Sequence, residues 1–187
     1  DLVKRAWSRG APDRVWITDF THVKTKAGWA YASFLQDGET LELLGFVVSR
    51  EKSTALVTKA IDQAVSSRKR SNPSFSSEGV IHHSDAGSQY TSLAFSQSLE
   101  KHGLRGSIGR VGTANDNALM ESTIGLYKTE CVHARWEGFK NITELEQATL
   151  EWVTWFNTTR LHSSLNYNAP AEAYQAYTHF TQRELAA

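Results

Sequence analysis

The chain has 187 residues and a single cysteine, Cys131. One thiol excludes an intrachain disulfide and any cysteine cage for zinc. Proline is also scarce: three residues, with Pro12 in the leading segment, Pro73 in a Ser/Asn loop and Pro170 placed for the first turn of a final helix. There is no charge imbalance, 20 basic residues standing against 20 acidic ones. That argues against a generic polyelectrolyte binder but not against local phosphate contacts, because a net charge hides its distribution. No apolar run is long enough to span a membrane and no secretory signal follows Asp1, so a cytoplasmic protein with no membrane partner is expected. The chain does not begin with methionine, which reads as a fragment of something longer. What is present is a core: 40% hydrophobic and 11% aromatic residues, enough for one α/β domain.

The leading residues 1–13, with Lys4, Arg5, Arg9, Gly10 and Pro12, read as a linker or tail from an upstream region. A catalytic unit is expected over 14–178 and a second tail over 179–187. Arg14 to Phe20 is β-branched and aromatic, hence a strand; Trp29–Leu35 and Leu43–Ser49 are two more. Turn residues at Lys26-Ala27-Gly28 and Asp37-Gly38-Glu39 join them into an antiparallel meander. From Ser53, the pairs Leu56/Val57, Ala60/Ile61 and Ala64/Val65 recur every four residues and predict a helix ending at Arg68-Lys69-Arg70. A strand over 79–83, a helix from about Leu93 to His102 and a strand near Leu104–Ile108 follow. Gly106, Gly109 and Gly112 predict a mobile segment after them. Helices are then expected over about Asp116–Val132 and from Thr143, whose Thr143…Glu146 spacing matches a capping box. Leu145, Thr149, Trp152, Val153 and Phe156 would form the inner face of the helix from Thr143. This order predicts an α/β fold, a mixed five-stranded sheet flanked by helices.

The chemistry is expected around Ile81-His82-His83-Ser84-Asp85-Ala86-Gly87-Ser88-Gln89-Tyr90. An apolar strand enters this stretch and a carboxylate follows the strand end, where open α/β sheets place their chemistry. Taken alone, Asp85 reads as a helix-capping loop acid. Asp19 changes that reading, since a carboxylate inside a Val/Ile/Trp-rich strand is costly to bury without compensation. The first and fourth strands of such a sheet can be neighbours, and Glu121 lies on the next helix. Three converging acids would raise one another's pKa values, and a divalent cation resolves the conflict. Oxygen-only ligands suit Mg²⁺ or Mn²⁺.

Thirty-five residues separate Asp85 from Glu121, and Lys128 lies seven positions further, two turns along the same helical face. With this spacing go the runs Trp16-Ile17-Thr18-Asp19-Phe20-Thr21, His82-His83-Ser84-Asp85, Gly87-Ser88-Gln89-Tyr90-Thr91-Ser92, Asp116-Asn117-Ala118, Leu126-Tyr127-Lys128-Thr129-Glu130 and Phe156-Asn157 with Arg160 and His162-Ser163. The pattern resembles the Asp-Asp-35-Glu core of retroviral-integrase-like transposases, in particular the OrfB-type transposases of bacterial insertion sequences. The resemblance runs from about residue 14 to 174. It implies an RNase H-like fold and metal-dependent DNA cleavage and strand transfer, with Asp19, Asp85 and Glu121 as the catalytic, metal-binding triad. Two Mg²⁺ or Mn²⁺ ions are implied in the active complex. Lys128 matches the family's basic DNA contact near the site. Asn117, Ser88, Gln89, Tyr90, Arg160 and His162 are further candidate DNA-binding positions.

The implied partners are insertion-sequence ends and target DNA, with a multimer assembled on DNA. A separate or fused helix-turn-helix protein is a further implied partner, and a bacterial, nucleoid-associated location follows. Three departures stand out: Ala86 where Arg is frequent, Gly38-Glu39-Thr40 after Asp37, and Ala169 where a Ser cap is common. Alternatives left open are a stand-alone RNase H-like nuclease and a non-catalytic DNA-binding or assembly module. His82 and His83 read as packed histidines rather than ligands, and Trp152 and Trp155 as core and interface aromatics.

Overall fold

A computed structural model describes residues 1–8, 10–109 and 117–185. Its five strands are β1 (Val15–Thr25), β2 (Gly28–Asp37), β3 (Leu43–Ser49), β4 (Ile81–Ser84) and β5 (Arg105–Ile108), in the spatial order β3-β2-β1-β4-β5. The first three form an antiparallel meander; β4 and β5 add in parallel to β1. The helices are α1 (Thr54–Ser71), α2 (Leu93–Lys101), α3 (Ala118–Tyr127), α4 (Ile142–Thr158) and α5 (Pro170–Leu185). The α3 helix runs on into a π-helical turn, Lys128–Val132. Its expected start at Asp116, and Gly112 before it, lie outside the described residues. Among the described residues, no helix is long and apolar enough to cross a membrane.

Strand alternation sends successive side chains to opposite faces and creates two cores. On one face Val15, Ile17, Phe34 and Val48 pack with Met120, Tyr127, Leu145, Trp152 and Phe156 of α3 and α4. Phe34, Tyr127 and Trp152 meet edge to face with centroids 4.8–6.0 Å apart. On the other face Trp16, Leu35 and Leu44 pack with Val57, Ala60, Ile61 and Ala64 of α1 and with Phe95 and Leu99 of α2. Gly45 permits the close approach of α1 to β3, since a Cβ there would overlap the Ala60 carbonyl.

Several ends differ from expectation for local reasons. The α4 helix is capped two residues before the proposed Thr143 cap, because Asn141 Oδ1 accepts from the Glu144 amide and Glu144 Oε2 accepts from the Lys140 amide. The missing Ser cap at Ala169 is offset by Glu172, which accepts from the Ala169 amide. The final helix has 16 residues and runs on to Leu185, into the stretch read from sequence as a second tail. Asn157 brackets the start of β3, accepting from Leu43 N–H and donating to Leu43 C=O.

Residues 1–8 and 10–13, read from sequence as part of a tail, pack on the domain. Val3 is fully buried, the Trp7 ring meets His83 edge to face at 5.4 Å, and the Leu2 amide donates to Ser107 Oγ. Asp13 ion-pairs with the buried Arg68 of α1, which also contacts Glu42 and lies 3.6 Å from the Tyr174 ring of α5. The unusual Glu39 accepts from Ser8 Oγ and the Gly10 amide, so the acidic hairpin fastens the leading segment.

Candidate active site

β1 and β4 pair in register, Val15 with Ile81, Trp16 with His82 and Ile17 with His83. Asp19 and Asp85 each lie two positions past the last rung, so the parallel strands deliver both acids to one end of the sheet. Asp19 shares the sheet face of Val15 and Ile17, the face covered by α3. The Asn117 amide reaches the Thr18 carbonyl at 3.5 Å and seats the start of α3 beside Asp19. Glu121 follows one turn later, exposed on α3.

Burial raises the Asp19 carboxyl to about 6, and the charges of Asp85 and Glu121 push the same way. The Phe20 amide, 2.8 Å from Asp19 Oδ1, and the Lys52 ammonium oppose that shift. Asp85 is exposed, with Oδ1 accepting from the Gly87 amide at 3.0 Å. A Cβ at Gly87 would press on the Gln89 amide and the Asp85 carboxylate, so a larger residue there would displace these two side chains.

Among the described residues, no group of three His, Cys, Asp or Glu side chains is gathered closely enough to hold a metal ion. The donor set still fits a hard cation. Asp19 is a half-buried oxygen donor held against its will in a field of two further carboxylates. Mg²⁺ commonly takes one or two carboxylates and keeps several waters, so a complete protein cage is not required.

The remaining sequence candidates are distributed unevenly. Ser88 is exposed, beside Asp85, and Lys128 is half-buried at the end of α3. Gln89 and Tyr90 are buried, the latter against Phe95, and Asn117 is buried beneath α3. Burial pushes the Tyr90 phenol up, and the charges of Asp19 and Asp85 add to it. Arg160 is held by Glu130, donating from Nε and Nη2 at 2.8–3.2 Å, and the same carboxylate accepts from Trp152 Nε1. Glu130 is nine residues past Glu121, roughly 13 Å along the helix, so Arg160 stands well away from the acids. His162 is buried against Phe156, centroids 4.8 Å apart, and burial lowers its pKa.

His82 and His83 are both buried, on opposite faces of the sheet. His82 is pushed down to about 3 by burial and packs on Phe95; His83 meets Ser107 Oγ at 2.9 Å. Trp152 is buried and Trp155 is exposed. Sequence reasoning missed Lys52, which follows β3 and whose charge acts on Asp19. Its only signal is a basic residue in the β3–α1 connection.

These features define an integrase-type catalytic core. The chain belongs to the integrase core domain family: one model of that description matches residues 9–114 and a second matches residues 102–170. It is 41% identical over 186 residues to a protein of Mycobacterium tuberculosis (strain ATCC 25618 / H37Rv) described as a putative transposase for insertion sequence element IS986/IS6110. That match covers 100% of this chain and 66% of the relative. The transposase for insertion sequence element IS629 of Shigella sonnei is 42% identical over 177 residues, covering 95% of this chain and 57% of that protein. The chain therefore spans just under two thirds of the length of the first of these curated relatives and less of the second.

Among solved structures, a simian T-cell lymphotropic virus intasome in complex with PP2A regulatory subunit B56 gamma matches with a TM-score of 0.76 at 14% identity, covering 89% of this chain and 56% of that one. The HTLV-2 integrase catalytic core domain in complex with magnesium matches with a TM-score of 0.61 at 15% identity, covering 88% and 98%. At such identities the likeness establishes the fold: that of a retroviral integrase catalytic core.

Proposed function

We propose that this chain is the catalytic core of an insertion-sequence transposase that cuts and joins DNA strands through a site built from Asp19, Asp85 and Glu121. The observation that carries this reading is the register that sets Asp19 and Asp85 two residues beyond one rung of paired strands. In the reaction, water attacks a phosphodiester at the element end: a P–O bond forms to the water oxygen, the bond to the 3′-oxygen breaks, and a 3′-hydroxyl is freed. That hydroxyl then attacks a second phosphodiester: its oxygen bonds to phosphorus, the P–O bond to the 3′-oxygen of that second strand breaks, and the freed 3′-oxygen takes up the proton as a new 3′-hydroxyl.

Asp19 and Asp85 would hold Mg²⁺ or Mn²⁺, with Glu121 completing the set from α3. The bound ions supply activation of the attacking oxygen and stabilisation of the leaving one. The HTLV-2 core, alike in fold, is described in complex with magnesium. Burial of Asp19 fixes one acid, while exposed Asp85 and Glu121 face the substrate side. Lys128, two turns beyond Glu121, supplies a phosphate contact, and Ser88 a second polar contact beside Asp85. Gln89, Tyr90 and Asn117 act from within, fixing the Asp85 loop and the start of α3. Arg160 and His162 belong to a more distant part of the DNA path. Residues 14–178 form the catalytic unit, which works as a multimer on DNA with end recognition supplied by a helix-turn-helix partner.

The test is nicking and joining of DNA in Mg²⁺ or Mn²⁺. Asp85→Asn and Glu121→Gln should each lower both products by more than about a hundredfold, since even outer partners of a metal site cost 10–100-fold. Cleavage without any joined product would support a hydrolytic nuclease, and full activity in either variant would overturn the triad.

A further inference from the structure

The two faces of the β1–β2 hairpin are finished differently. Thr21, Val23 and Thr25 face inward and are buried, together with Ala30 and Ala32. The opposite face carries Phe20, His22 and Lys24 on β1, which pair with Ser33, Tyr31 and Trp29 on β2. Paired residues of antiparallel strands share a face, so these side chains form one row. Phe20 and Tyr31 lie 6.4 Å apart, and His22 and Trp29 5.2 Å apart. The row is open: His22 is exposed and Trp29 is 55% exposed.

The row begins at Phe20, which follows Asp19 in the chain but lies on the opposite face of the sheet, beside the α1 cluster, so a DNA strand reaches it around the open edge of β1. It ends at the rung Lys24–Trp29, five residues on from the acid. At about 3.3 Å per residue that is roughly 17 Å from the acid. β4 pairs with β1 only as far as Ile17, and among the described residues no strand pairs with that edge of β1 between Ile17 and Thr25. The row is also rimmed by cations in a chain with no net charge. Lys52 Nζ sits 4.6 Å above the Phe20 ring, Lys24 stands opposite Trp29, Lys26 is at the hairpin tip, and Arg50 follows Ser49, the partner of Tyr31. Glu51 is the one carboxylate in that turn. Rings in sequence with cations beside them match unpaired nucleotides, whose bases stack on aromatics while phosphates take the charges.

Resting on the DNA-processing reading above, we propose that Phe20, His22, Trp29 and Tyr31 form a stacking platform for unpaired bases of a DNA strand leaving the active site, with Lys24, Lys26, Arg50 and Lys52 along its phosphates. The test uses the full chain in EDTA, with a labelled oligothymidine and its abasic counterpart as probes. The strand with bases binds about tenfold more tightly than the abasic one, in line with stacking on one or two rings. Trp29→Ala removes most of that difference and Trp29→Phe keeps it. Equal binding of the two probes, no binding of either, or an unchanged difference in Trp29→Ala overturns the platform. Loss of self-association in Trp29→Ala with DNA binding intact assigns the face to a second copy of the chain instead, and also overturns it. Chelation removes the carboxylate site's metal from the assay. The platform can therefore fail while strand transfer stands, and strand transfer can fail while the platform stands.

Discussion

Asp19 and Asp85 lie on neighbouring parallel strands, each two residues past the rung that pairs Ile17 with His83. One acid is half-buried and the other exposed, and burial with the surrounding carboxylates raises Asp19 to about 6. A site that strains its own acids in the absence of a cation is a site that a cation relieves.

That relief has a measurable consequence. Mg²⁺ at a hundred times its dissociation constant stabilises the folded state by about 2.7 kcal/mol, several degrees in melting temperature for a domain of this size. Asp19→Asn keeps the acceptor for the Phe20 amide but removes the confined charge. The metal-free variant should melt higher than the wild type, by on the order of 1–3 kcal/mol in stability, and show no Mg²⁺ shift. Thermal unfolding with and without Mg²⁺ checks both points, and a variant that still responds to Mg²⁺ would remove Asp19 from the site.

Arg68 ties four parts of the chain together: α1, Asp13 of the leading segment, Glu42 before β3, and Tyr174 of α5. Its side chain is 1% exposed, so truncation leaves the buried Asp37 and the half-buried Asp13 and Glu42 without their cation. Arg68→Ala should cost about 3–5 kcal/mol, read from urea unfolding. A loss below about 1 kcal/mol would show that the cluster relaxes into water.

Asp37 belongs to the same cluster and is raised to about 6, chiefly by burial, with Asp13 adding to it and Arg68 opposing. Its folded pKa lies above its unfolded one, so protonation favours folding. The stability Asp37 contributes is fully present below about pH 4 and is lost as pH rises through about 6, a change on the order of 2–3 kcal/mol. Denaturant unfolding of the wild type and Asp37→Asn between pH 4 and 7.5 should show the wild type losing ground as pH rises. Parallel pH profiles would contradict this assignment.

Much of this was legible in sequence because it rests on short-range chemistry. The meander followed from β-branched runs and turn residues, and the inner face of α4 from its period. Asp19, Asp85 and Glu121 stood out through motif spacing. Other features depend on tertiary neighbours that no local pattern records. Gln89 and Tyr90 sit in a polar Gly/Ser loop that reads as surface, yet both are buried, Tyr90 against Phe95 of α2. Arg160 reads as a free phosphate ligand, but Glu130, thirty residues earlier, holds its guanidinium. Val3 and Trp7 read as part of a basic tail because their partners, the core and His83, lie far along the chain. The α4 cap was misplaced by two residues since Asn141 and Thr143 both satisfy a capping pattern, and Glu144 decides between them.

The most direct test of the central claim is a crystal structure of the protein with Mn²⁺, read by anomalous scattering. The expected result is a peak between Asp19 and Asp85, with Glu121 joining when DNA is present, and no such peak in Asp85→Asn. An ion bound elsewhere, or a peak that survives Asp85→Asn unchanged, would contradict the assignment of this site.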